Sequence, residues 1–192
     1  MPLRKRNSGA ATSFPSIETS RLSLTPLLES DADRVFSLFS DSRVMEFYDL
    51  EAFTQEVEAR AWIQKHRMRF EKKEGIRWAI RYKGQSELLG TCGFNSLNGR
   101  QYSGEIGFEI TPDCWGKGIA AEAVLAIVEW AFSAGLEHPL HRIVARTMLK
   151  NDASVRLLQK LGFQEEGVAR RGGYWKGGFH DLRVFALLSG LK

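Results

Sequence analysis

The sequence predicts an α+β domain in which one mixed, mostly antiparallel sheet is flanked by helices. Three observations carry this. Trp78, Ile80 and Tyr82 alternate with polar positions such as Arg81, and the turn residues Lys83-Gly84-Gln85 lead into a second apolar run, Leu88 to Phe94, so the middle of the chain reads as a hairpin. An apolar stretch of helix length, Gly116 to Ala134, opens at two glycines. A shorter helical segment, Asn151 to Leu161, has a capping Asn at its start and Gly162 just past its end.

The remaining elements follow in order. With 192 residues, the chain suits one domain. Residues 1–16, rich in small and basic side chains, are expected to form a disordered tail, with a single domain over 17–192. Leu22, Leu24 and Leu27 around Ser23 and Thr25 predict a strand. Ser30 or Asp31 can cap a helix through Val35, Leu38 and Phe39. A second helix is expected from about Thr54 to Lys72, with Val57, Ala61 and Met68 on its apolar side. A turn at Asn98-Gly99 leads into a third meander strand, Ser103 to Ile110. Ile143 to Thr147 reads as a strand, and Phe163 to Ala169 and Leu182 to Leu188 close the chain as two more.

Composition narrows the function. A hydrophobic fraction of 43% and a charged fraction of 26% are ordinary for a globular protein. The net charge of +4 owes part of its excess to Arg4, Lys5 and Arg6, so it reads as a solvated basic tail and direct nucleic-acid binding is not expected. Cys92 and Cys114 form no CxxC pair and no Cys/His ligand pattern, which argues against a metal site. Two thiols suit a reducing compartment, and no apolar run approaches the roughly 20 residues that span a bilayer. A cytoplasmic protein without a membrane partner is expected, as a monomer or homodimer.

The chemistry concentrates in Glu105 to Ala123, where a strand runs through a loop holding Gly116, Lys117 and Gly118 into the long helix. Unpaired N–H groups and the positive dipole end face such a loop, and glycines let the backbone approach an anion closely. The arrangement suits a pyrophosphate. It is neither the G-x-G-x-x-G dinucleotide fingerprint nor a P-loop, since no Gly-Lys-Ser/Thr follows. A tight strand-to-helix turn without a ligand is the alternative.

Trp115-Gly-Lys-Gly-Ile-Ala120 closely resembles the Gln/Arg-x-x-Gly-x-Gly/Ala motif of the GNAT superfamily, departing at its first position. Asn151-Asp-Ala-Ser-Val-Arg-Leu-Leu-Gln-Lys-Leu-Gly-Phe163 resembles that family's second block. Thr111-Pro112 ahead of Trp115, and the ending Gly173 to Asp181, are similar to the subgroup that acetylates the N-termini of ribosomal proteins. The resemblance spans about Thr19 to Leu188. It implies acetyl-CoA as cofactor, with CoA as product, and an amine acceptor, either a protein N-terminus or a small molecule. It further implies a splayed central strand pair, Glu105–Ile110 and Ile143–Thr147, holding the pantetheine arm. The implied cofactor contacts are Phe108, Glu109, Ile110, Trp115, Gly116, Lys117, Gly118, Ile119, Ala120, Asn151 and Ser154. A backbone N–H near Phe108 or Glu109 would steady the oxyanion.

Acetyl transfer to an amine needs a base, oxyanion stabilisation and a proton for the leaving thiolate. Direct attack needs no protein nucleophile, so Cys92 and Cys114 are expected to serve packing. Glu105, Gly107 and Glu109 alternate onto one strand face. Glu105, further from the glycine loop, is the preferred catalytic base; the alternative is that both glutamates simply face solvent. Leu158 stands where many family members carry a tyrosine acid, and Ser154 is the expected substitute, unless it only bonds to helix backbone. His180 and Asp181 are adjacent in a strand and point to opposite faces, which disfavours a triad. Phe47, Tyr48, Trp62, Tyr174 and Trp175 either line the acceptor groove or belong to the core.

Overall fold

The computed structural model describes residues 13–133 and 135–190. Eight strands form one sheet in the order β1-β2-β3-β4-β5-β6-β8-β7. They are β1 (Ile17–Glu18), β2 (Leu22–Pro26), β3 (Ile76–Tyr82), β4 (Gly90–Asn98), β5 (Ser103–Ile110), β6 (Arg142–Met148), β7 (Gln164–Trp175) and β8 (Gly178–Leu188). The helices are α1 (Ala32–Ser40), α2 (Ser42–Met45), α3 (Glu56–Glu71), α4 (Ile119–Phe132) and α5 (Asp152–Lys160). Every neighbouring pair is antiparallel except β5 and β6, which run parallel because α4 returns the chain between them.

Two cores sandwich the sheet. On one face α4 and α5 bury Ile119, Val124, Ile127 and Leu158 against Trp78, Phe94, Ile106 and Ile143. On the other, α1 and α3 bury Phe39, Trp62 and Ile63 over Ala79 and Leu88. Trp62 is therefore core rather than groove, its ring 4.9 Å from that of Phe39. The expected apolar side of α3 is also corrected. Val57, Ala61 and Met68 are exposed, while Ala59, Trp62 and Ile63 face the sheet. Both stripes have helical spacing, and the one carrying Trp62 and Ile63 has the larger apolar area to gain by burial.

Asp31 begins α1 without capping it. Its carboxylate accepts from the Leu28 N–H at 2.8 Å and from buried Arg81 at 2.7 Å. Residues 13–16 of the expected tail are anchored: the Phe14 ring lies 4.8 Å from that of Phe70, and the Trp78 indole donates to the Pro15 carbonyl at 2.7 Å. Residues 1–12 lie outside the described residues. The final strands are longer than expected. Trp175 pairs with Gly178 across Lys176-Gly177, both at positive φ (49° and 72°), the geometry of a two-residue type I′ hairpin turn. None of the described helices is long and apolar enough to cross a membrane.

Candidate active site

The parallel pair sets up the site. β5 and β6 pair from Ser103/Arg142 to Ile106/Ala145, and then pairing stops although both strands continue. The gap opens into a cleft of about 990 Å³. The hydrogen-bond alternation shows which backbone groups face it. The Thr111 N–H donates to the Leu89 carbonyl, so Gly90 and Ile110 are a non-bonded pair, and in β5 it is Phe108 and Ile110 whose N–H and C=O groups point away from β4. The same reasoning from the Ser189 N–H on the His141 carbonyl turns the backbone of Arg146 and Met148 toward the gap. Between the two expected oxyanion donors, the open N–H is that of Phe108; the Glu109 N–H is directed at β4.

At one end of the cleft is the glycine loop. A 3₁₀ turn, Pro112–Cys114, precedes it, and the Trp115 indole donates to the otherwise open Ile110 carbonyl at 2.7 Å. Gly116 and Gly118 take φ of 72° and 76°, conformations costly for side chains with a Cβ. A Cβ on Gly116 would have no atom within 4 Å, so the loop surface is bare backbone. Gly118, Ile119 and Ala120 line the cleft where α4 begins. Lys117 is exposed and is not among the cleft-lining residues. Across the gap, the Asn151 Oδ1 caps α5 by accepting from the Ser154 N–H at 3.1 Å, and both residues line the cleft. The buried Thr147 hydroxyl on the same wall has no partner among the described residues. Open strand edges, a bare glycine loop and an orphaned hydroxyl fit an extended, amide-bearing ligand ending in a diphosphate.

Phe47, Tyr48, Tyr174 and Trp175 also line the cleft, together with Arg43, which lies over the Trp115 ring at 6.0 Å, and the exposed carboxylates of Glu46 and Asp49. Lys176, in the β7–β8 turn, donates to the Met45 carbonyl and bridges the hairpin to α2. Glu105 sits where the strands part, opposite Val144, in a close ion pair with Arg146. His180 stacks on Trp175 at 4.2 Å, whereas Asp181 accepts from the Arg171 N–H at 2.7 Å, so no triad forms.

Sequence reasoning missed the polar floor. Glu109 is buried, not solvent-facing. Its carboxylate accepts from Arg77 and from Thr91, each at 2.6 Å, and Arg77 also donates to Asn95 at the β4 bulge. Gly107 makes room for this, since a Cβ there would meet Arg77 Nη2 at 3.0 Å. Burial, and then the Glu109 charge, push the Tyr48 phenol well above its ordinary range. For Arg77, burial opposes the charge, but the groups around it, Glu109 foremost and then Tyr48, together raise its pKa. Burial lifts the Cys92 thiol to about 12, so it is no nucleophile at neutral pH. Arg77 and Glu109 lie 32 positions apart, and nothing local in the sequence pairs them.

Comparison with known proteins agrees with the geometry. The chain is 39% identical over 175 residues to YoaA, an uncharacterized N-acetyltransferase of Bacillus subtilis (strain 168), spanning 91% of this chain and 97% of that one. A GNAT-family acetyltransferase structure from Bacillus anthracis superposes with a TM-score of 0.79 at 26% identity, covering 91% of this chain and 98% of that one. RimL, the ribosomal L7/L12 α-N-protein acetyltransferase, in complex with coenzyme A, shares the fold at a TM-score of 0.79 and 21% identity, covering 91% and 98%. Residues 21–164 match the family model described as Acetyltransferase (GNAT) domain, and the chain therefore belongs to the GNAT acetyltransferases.

Proposed function

We propose that this enzyme transfers the acetyl group of acetyl-CoA to an amine by direct attack, with a protein N-terminal α-amine as acceptor. The observation that carries the reading is the cleft between the parted strands, lined by the glycine loop and with the exposed Glu46 and Asp49 at its mouth. The CoA complex of RimL, a protein N-terminal acetyltransferase of the same fold, supports both donor and acceptor class.

When bound, acetyl-CoA supplies the activated thioester. The N–H groups of Gly118 and the first turn of α4 hold its diphosphate, and the open edges of Phe108, Ile110, Arg146 and Met148 hold the amide-bearing arm. The Phe108 N–H is the donor aimed at charge developing on the thioester oxygen. Glu105 receives the incoming ammonium and relays its proton outward. Ser154, on the α5 side, delivers its hydroxyl proton to the departing sulfur and regains one from solvent in the open cleft. The carboxylates at the mouth favour a cationic acceptor.

Release of free CoA, measured with a panel of N-terminal peptides and small amines, tests the reading. Turnover with peptides is the expected result. Turnover with small amines alone would make this a small-molecule acetyltransferase, and CoA binding without turnover would make it a binding module. Two substitutions test the roles. Gly118→Asp should weaken CoA binding by about 2–3 kcal/mol in calorimetry, through a strained left-handed backbone and a negative charge added to the anion loop, its Cβ 3.5 Å from Arg21 Nη2. Ser154→Ala should lower kcat by roughly 10²-fold where thiolate protonation limits turnover, with CoA affinity nearly unchanged. An unaltered kcat would leave Ser154 as the residue whose N–H completes the α5 cap.

A further inference from the structure

A cluster outside the cleft bears on the glycine loop. Glu122, in the first turn of α4, is an unexpected residue beside a diphosphate site, because its charge would repel the ligand. It is fully engaged from the strap between β1 and β2. Thr19 Oγ1 donates to Glu122 Oε1 at 2.5 Å, Ser20 Oγ at 3.0 Å and the Arg21 N–H at 2.9 Å, while Arg21 Nε donates to Oε2 at 2.7 Å. Desolvation opposes the carboxylate, yet the hydrogen bonds from Thr19, Arg21 and Ser20 hold its pKa at about 2, so it is charged at neutral pH.

The guanidinium has a second task. Arg21 Nη1 donates to the Lys117 carbonyl at 3.1 Å. In a planar trans peptide the C=O and the following N–H point in opposite directions. The Lys117–Gly118 peptide is trans, since the described chain has no cis bond. Holding the Lys117 oxygen on the outer side therefore turns the Gly118 N–H the other way. Gly118 lines the cleft and Arg21 does not. The left-handed Gly118, at φ 76°, is the residue whose freedom most needs such a restraint.

We propose that Arg21, anchored by Glu122, is a positioning residue that aims the Gly118 N–H at the diphosphate and preorganises the anion loop from outside its own motif. The proposal rests on the acetyl-CoA reading above. Fork geometry is central to it: Nε is fixed by one partner and Nη1 by another, which a lysine cannot reproduce.

The test compares CoA with a carrier that lacks the diphosphate. Calorimetry gives CoA affinity, and steady-state kinetics give KM for acetyl-CoA and for S-acetylpantetheine. Arg21→Ala and Arg21→Lys should each weaken CoA binding about tenfold, as expected for a lost charge-assisted contact. KM should rise for acetyl-CoA and stay unchanged for S-acetylpantetheine. Glu122→Gln is the sharper variant. Simple removal of a negative charge near phosphates predicts tighter CoA binding, whereas a loosened clamp predicts weaker binding. Native CoA affinity in Arg21→Lys, tighter binding in Glu122→Gln, or an equal loss with both acetyl carriers would each overturn the proposal. Failure of the unaltered chain to bind CoA would instead remove the cofactor reading, and the clamp with it.

Discussion

Glu109→Gln should destabilise the fold by about 3–5 kcal/mol, the usual cost of leaving the other half of a buried ion pair uncompensated. Arg77 has a side chain only 1% exposed, and Glu109 one 5% exposed, so water cannot replace the missing partner. Arg77 Nε already lacks a hydrogen-bond partner among the described residues, which leaves the guanidinium with little in reserve. For a chain of this size the melting temperature should fall by roughly 6–20 °C. Thermal or urea unfolding reads this directly. The double variant Arg77→Met/Glu109→Gln should recover much of the loss, because removing both charges from a buried site is often near neutral. A single variant that melts like the parent chain would show that water reaches the floor of the cleft. Glu109→Gln therefore cannot serve as a clean kinetic control for the neighbouring glutamate, since any loss of rate would be mixed with loss of fold.

Glu105→Gln is expected to act in the opposite way, on rate and not on stability. Its ion pair with Arg146 is at the surface, with side-chain exposures of 28% and 45%, and such pairs contribute about 0–1 kcal/mol. The variant should fold normally. At pH 7 its kcat/KM should fall roughly 10²-fold or more, the effect expected when a positioned general base is removed. An α-amine with a pKa of about 7.7–8.0 is mostly protonated there, and only its free form attacks the thioester. As pH rises the solvent supplies that free form, so the deficit should shrink. The parent chain's acidic limb and the variant's should converge above about pH 8. CoA affinity should stay close to that of the parent chain. Near-normal rates at pH 7 would mean that the acceptor arrives already deprotonated and that Glu105 serves only its pairing with Arg146.

Local signals in the sequence were enough for several elements. Strand β5 ends at Ser103 and Ile110 as its alternation predicts, and α5 starts and stops at its Asn151 cap and at Gly162, whose φ is 86°. These are decided by a residue's own backbone preferences and by neighbours within a turn. The helix α3 shows the limit. Val57, Ala61 and Met68 share one spacing and Ala59, Trp62 and Ile63 another, and only the sheet beneath decides which stripe is buried. The outer part of the β7–β8 hairpin was hidden because the glycines Gly172, Gly173, Gly177 and Gly178 read locally as loop, while Gly173 and Gly178 are strand residues through their pairing with His180 and Trp175.

By itself, the sequence determined the α+β class, the glycine loop ahead of a long helix, and the capped helix facing it. It did so because those features depend on patterns a few residues long. Tertiary structure alone decided where β5 and β6 part, which backbone edges open on the cleft, that Glu109 is buried against Arg77 while Glu105 is half-exposed, and that Arg21 reaches Glu122 across 101 positions. Each of these joins residues far apart in the chain. A charged residue in an alternating strand looks the same in sequence whether its face meets water or a helix, and burial, which sets its cost and its partner, is a property of the packed molecule.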